Sequence, residues 1–160
     1  MTSAVVNVLL PESIAPMTLP EKPDDTVVLH IPWDMQALGD LLDRLQTLGQ
    51  QQEWSLPLLH KATLVIEELV VNALSYGAQT PETGMLEVRV QQQADHLCID
   101  VYDNGCAFDP FSLSEPNLDA DLDSRRVGGL GVFLVKTLSQ TYRYERQDGL
   151  NHVQLHMTLD

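Results

Sequence analysis

Glu68 with Asn72, Asp103 with Gly105, and the run Gly128-Gly129-Leu130-Gly131 are the residues of this chain whose types and spacing can do chemistry. The first pair lies four residues apart, and on a helix a step of four returns to within about 40° of the start. Glu68 and Asn72 therefore share a face at one border of an apolar stripe, with Lys61 near them and Glu67 on the opposite border. There they look over a pocket edge, or they are ordinary flanking polar residues; the poor helix propensity of Asn weighs against the second reading. Asp103 ends a strand, and Gly105 follows two residues on. A carboxylate fixed there accepts a hydrogen bond from an exocyclic amine such as that of adenine, while the glycine lets backbone approach a flat base. The alternative is an Asp-Asn-Gly turn that only caps the strand. The third stretch opens a helix, where unpaired N–H groups and the helix dipole favour anions, and Arg125 and Arg126 add positive charge beside it. A tight turn into a helix is the alternative. Two familiar phosphate motifs are missing: Gly131 to Thr137 lacks the glycine before lysine of a P-loop, and no Gly-x-Gly-x-x-Gly follows the first strand. In this order the three stretches read as an ATP pocket.

Those residues need a frame. At 160 residues the chain fits one domain. Pro11, Pro16, Pro20 and Pro23 with little periodicity mark residues 1–25 as a loosely held arm, with an early strand over Val5 to Leu10 as the alternative, and residues 26–160 form the globular unit. Val27, Leu29 and Ile31 alternate as a strand that Pro32 ends. A helix capped by Asp34 carries Leu38, Leu41, Leu42, Leu45 and Leu48 and closes at Gly49. The next helix starts at a Ser55 cap with Pro57 in its first turn, bears the stripe Leu58 to Ala73, and stops near Tyr76 and Gly77. Leu86, Val88 and Val90 and then Leu97, Ile99 and Val101 alternate around Gln93-Ala94-Asp95 as an antiparallel hairpin. A polar acidic stretch leads to a helix over Gly131 to Gln140, and two last strands flank Asp148-Gly149. The expected fold class is α+β: a two-layer α/β sandwich with a mostly antiparallel sheet, helices on one face and a polar face exposed on the other.

The charge of −14, from 9 Lys+Arg against 23 Asp+Glu, argues against non-specific nucleic-acid binding. It does not exclude a nucleotide, because bulk repulsion is screened beyond about 8 Å at physiological salt; magnesium and backbone amides would have to arrange the local site. Cys98 and Cys106 read as free thiols and small apolar fillers in a reducing compartment. No segment approaches the roughly 18 apolar residues of a membrane span, and a cytoplasmic protein without membrane attachment is expected. Asp119, Asp121 and Asp123 have calcium-loop spacing, but Ser124 replaces the turn glycine and Leu130 the bidentate glutamate. His152 and His156 find no third zinc ligand nearby. Trp33 and Trp54 bracket the first helix as packing residues.

The residues Glu68 to Ala73 with Gly77, Asp103 with Gly105, and Gly128 to Gly131 resemble the motifs of the GHKL (HATPase) superfamily, whose fold is the Bergerat sandwich. The likeness is closest to its single-domain branch, the anti-sigma factor serine/threonine-protein kinases of the RsbW and SpoIIAB type, and spans Val27 to Leu159. The resemblance implies ATP and Mg2+ as cofactors, Asn72 as the magnesium ligand, Glu68 as the general base, Asp103 on adenine, and the glycine box under the phosphates. It implies a sigma factor and a STAS-type anti-sigma antagonist as partners, and leaves a homodimer open. Ala107 stands where the family commonly has a second glycine, a change that a negative backbone angle would tolerate. Tyr76 stands where His is common, and the lid from Ser112 to Val127 is acidic. A nucleotide-gated binding module without phosphotransfer is the alternative. A histidine kinase catalytic domain is disfavoured, because the chain has no room for a dimerising helical hairpin and His60 shares the helix of Glu68.

Overall fold

The computed structural model describes residues 18–113 and 129–160. Val5 to Leu10, Asp119, Asp121, Asp123, Arg125, Arg126 and Gly128 lie outside the described residues. The elements run β1 (Val27–His30), α1 (Ala37–Gln51), α2 (Leu56–Tyr76), β2 (Leu86–Gln92), β3 (His96–Asp103), a 3-10 turn (Pro110–Ser112), α3 (Gly129–Leu138), β4 (Thr141–Gln147) and β5 (Leu150–Thr158). The strands form one sheet in the order β1-β2-β3-β5-β4, antiparallel at every pairing. The expected α+β sandwich is thus the observed one.

The core follows from the two periodicities. Leu58, Ala62, Val65, Ile66, Leu69 and Val70 of α2 meet Val88, Ile99, Val101, Val153 and Leu155 from the sheet, and each Val, Leu or Ile side chain among them contributes about 1.5–3 kcal/mol on leaving water. Ser55 caps α2 as expected, its Oγ accepting from the Leu58 N–H at 3.3 Å. The β4–β5 hairpin turns on Asp148 at φ 52° and Gly149 at φ 79°, a two-residue turn with both angles positive that matches the twist of the strands.

Three expectations need correction. Asp34 does not cap α1: the cap position is Gln36, and Asp34 Oδ1 accepts from the Gln36 N–H at 2.9 Å in the turn before it. Gly49 does not stop α1. It is buried inside the helix, where a Cβ would come within 2.7 Å of Leu59 Cδ1; the glycine serves close packing against α2, and the helix ends just beyond it, next to Glu53 at φ 56°. Nor is the second face of the sheet left open, because Glu87, Arg89, Tyr102 and His152 on it are all buried. Arg89 pairs with Glu87, lies over the Tyr102 ring at 4.9 Å and donates to the Pro20 carbonyl at 2.7 Å. Gln91 donates to Asp25 at 2.8 Å, so part of the N-terminal segment lies across this face. Tyr102 stacks on His152 at 4.2 Å, and the His152 ring nitrogens face Asp100 at 2.6 Å and Glu145 at 3.1 Å. Alternation placed these side chains on one face, but it carried no sign that they would satisfy one another there.

Candidate active site

The site forms where α2, the loop after β3, the start of α3 and the start of β5 converge. Asn72 faces it from α2. Although Asn72 is only 6% exposed, its Nδ2 has no hydrogen-bond partner among the described residues. A buried amide of this kind costs free energy unless something completes it. One turn earlier, Glu68 lies half-buried with its carboxyl group against Gly131 of α3; the three nearest heavy atoms to a Cβ added at Gly131 are Oε2, Cδ and Oε1 of Glu68. Gly131 was expected to supply backbone to an anion. The structure gives its missing side chain a further reason: the carboxylate occupies that space. Burial first, and the neighbouring charge of Glu67 second, raise the Glu68 carboxyl above its ordinary range.

At the other end Asp103 closes β3, 8% exposed. Its Oδ1 accepts from the Gly105 N–H at 2.9 Å and from Asn151 Nδ2 at 2.8 Å, and Oδ2 has no partner among the described residues. Burial raises its pKa, against the opposing effects of Asn151, the Gly105 amide and Arg146. Gly105 is required by contact. A Cβ there would fall 2.6 Å from the Gly77 Cα, and the next residue, Cys106, donates its N–H to the Gly77 carbonyl at 2.8 Å. Gly77 is constrained in turn, since a Cβ on it would overlap the Trp33 ring. Ala107 is exposed and has no positive φ, so its methyl group fits the loop where a glycine is common. Phe108 stacks on Tyr76 at 4.7 Å. Between the ends runs a pocket with apolar walls from Leu69, Val101 and Val153, with Asn72 and Asp103 also lining it.

Of the residues singled out in the sequence, Asn72 and Asp103 line one pocket, Gly105 donates to Asp103, and Glu68 lies against Gly131 one turn from Asn72. Gly129 and Leu130 open α3, with Leu130 44% exposed; Arg125, Arg126 and Gly128 fall outside the described residues. Lys61 is turned to the chain terminus, donating to the Asp160 carbonyl at 3.0 Å. Cys98 is buried and Cys106 exposed, both as free thiols, so Cys106 is not the core filler expected of it. Asn151, Arg146 and Tyr144 went unremarked as site residues. Their signal is the strand pairing that sets Asn151 opposite Asp103.

The strand-end carboxylate of Asp103, the buried amide of Asn72 and the apolar walls between them make up one pocket. The model of the histidine kinase-like ATPase domain family matches residues 31–157, and the chain belongs to that family. Among curated proteins it is similar to the serine/threonine-protein kinase BtrW of Bordetella bronchiseptica, 28% identical over 130 residues that cover 81% of this chain and 92% of the relative. It is also similar to the serine-protein kinase RsbW of Listeria innocua, 25% identical over 140 residues, covering 81% and 85% respectively. By family and by these relatives the chain is classed as a protein kinase. Among solved structures it resembles the RsbU and RsbW domains of Rv1364c from Mycobacterium tuberculosis, with TM-score 0.60, 14% identity and 84% of this chain covered. The match spans 32% of that longer chain, and at this identity it speaks to the fold.

Proposed function

We propose that the chain is an ATP- and magnesium-dependent protein serine/threonine kinase of a partner-switching pathway, which holds a sigma factor and phosphorylates the antagonist that releases it. The observation that carries this reading is Glu68, pressed against the first turn of α3 with its carboxyl raised by burial, since ATP binding alone has no need of a poised base. The Asn72 Nδ2, without a partner among the described residues, is a donor that fits a phosphate oxygen or a cation-bound water, its Oδ1 would be the cation ligand, and the apolar walls from Leu69, Val101 and Val153 beside Asp103 fit a flat base. When bound, magnesium ATP supplies the transferable phosphoryl group and neutralises its charge. Asn72 holds the cation, Asp103 accepts from the base amine, and the first-turn amides of α3 receive phosphate oxygens. Glu68 orients the incoming hydroxyl and takes its proton late. Arg125 and Arg126, which precede the glycine run in the sequence, would add positive charge for the phosphates. The acidic surface suits a basic partner and speeds encounter with it.

Incubation with labelled ATP and a STAS-type antagonist tests the reading. Label is expected on an antagonist serine or threonine, and Glu68→Ala is expected to abolish it with nucleotide affinity nearly unchanged. ATP binding with no label on the antagonist would make the chain a nucleotide-gated binding module instead.

A further inference from the structure

Asn151 has every hydrogen-bonding position of its side chain filled. Its Nδ2 donates to Asp103 Oδ1 at 2.8 Å and to the Cys106 carbonyl at 2.8 Å. Its Oδ1 accepts from the Tyr144 hydroxyl at 2.6 Å and from Arg146 Nη1 at 2.8 Å. An amide carries two N–H donors and an oxygen with two lone pairs, so nothing is left over. The network also fixes which way the amide points. Turned over, its oxygen would face the Asp103 carboxylate and the Cys106 carbonyl while its NH2 faced a guanidinium. Arg146 reaches past it to the Gly105 carbonyl at 2.9 Å, binding the same loop a second time. Asn151 is 3% exposed and borders the pocket.

The Asp103 carboxylate is thereby held by two N–H donors on Oδ1, and Oδ2 has no partner among the described residues. A fixed acceptor meets the 6-amino group of adenine well. Against a 6-oxo purine it faces an oxygen, and the N1–H of that base lies one ring position away, where a locked carboxylate cannot follow. We propose that Asn151, oriented by Tyr144 and Arg146, is a specificity-determining positioning residue that locks Asp103 as a 6-amino-purine acceptor and so rejects 6-oxo purine nucleotides. This rests on the reading of Asp103 as the base-holding residue.

Calorimetry with the magnesium complexes of ADP and IDP, on the full chain, separates the two ideas. The parent is expected to prefer ADP, and in Asn151→Ala the ADP-to-IDP preference is expected to fall about tenfold, the scale of one hydrogen bond to a charged group. Asn151→Ser, which keeps a donor one bond shorter on the same side, is expected to recover part of the preference. Tyr144→Phe, which removes one of the two donors that orient the amide, is expected to lower it in part. An equal loss for both nucleotides in Asn151→Ala, with the ratio unchanged, would reduce Asn151 to a structural role and overturn the proposal. If that variant does not fold, the ratios in Asn151→Ser and Tyr144→Phe decide: a graded fall supports the lock, and parental ratios in both overturn it. Asp103→Asn is the control on the underlying reading. Unchanged ADP affinity there removes Asp103 from the base site, whereas weakened ADP affinity with an unmoved ratio in Asn151→Ala defeats the lock alone.

Discussion

Gly131→Ala is the most informative single change, because its costs to folding and to chemistry should separate. The position has no positive φ, and in this first turn of α3 alanine is favoured over glycine by at most the helix-interior figure of about 1 kcal/mol. The added methyl meets the carboxyl group of Glu68 as its nearest neighbour, the far end of a flexible side chain. Moving that side chain off its preferred rotamer costs about 0.5–1.5 kcal/mol, so the two effects nearly cancel. The melting midpoint is expected to shift by no more than about 2–4 °C, the change that 1 kcal/mol produces in a domain of this size. Phosphotransfer should respond quite differently. Displacing a positioned catalytic group by an ångström costs about 10²-fold, so kcat on the antagonist is expected to fall by at least that factor while ADP affinity holds. The double variant Glu68→Ala with Gly131→Ala should lose nothing beyond Glu68→Ala alone, since both remove the same group from its place. It should also melt higher than Gly131→Ala, with the helix gain kept and the collision gone. An undiminished kcat in Gly131→Ala, or multiplicative losses in the double variant, would refute the reasoning.

Other outcomes follow from the same geometry. A general base must be ionised to act, and the Glu68 carboxyl is raised by burial and then by Glu67. The transfer rate should therefore fall on acidification through a pH above the ordinary glutamate value of about 4.3, and Glu67→Gln should move that limb lower; an identical pH–rate profile in the variant would contradict the assignment. Cys98 is buried with its thiol pushed up to about 12 by burial first and then by Asp100, whereas Cys106 is exposed at the pocket. An aromatic disulfide reagent should find one fast thiol, slowed by magnesium ADP; two thiols of equal rate would argue against this placement. Leu155 is fully buried at the centre of the core, and Leu155→Ala should cost about 2–5 kcal/mol in denaturant unfolding.

Much of the site was legible because its parts are local. Glu68 and Asn72 are related by one helical turn, Asp103 and Gly105 by one loop, and Gly129 and Gly131 by one helix start, so spacing alone could single out each. Sequence did not reveal what joins them. Asn151 meets Asp103 only because β5 pairs with β3 across 48 residues of chain, and no window of periodicity reaches that far. The same limit hid the polar ladder on the second sheet face. Alternation along a strand reports which side chains share a face; whether Arg89 finds Glu87, Tyr102 and the Pro20 carbonyl depends on register and on a distant segment. Gly49 was misread for a related reason. A glycine at the end of an apolar pattern signals a stop locally, yet here the demand comes from Leu59 on another helix.

The abutment of Gly77 and Gly105 sets how this pocket can change over evolutionary time. Two stretches of bare main chain touch between the helix that carries Glu68 and Asn72 and the loop that carries Asp103. No side chain stands between them to be trimmed, so the spacing there is the thickness of a polypeptide backbone. Point substitutions can enlarge neither glycine without forcing the elements apart, and neither can become smaller. A pocket of different reach therefore lies an insertion or deletion away rather than a series of single replacements, and a lineage diversifying its nucleotide would have to rebuild the loop instead of tuning it.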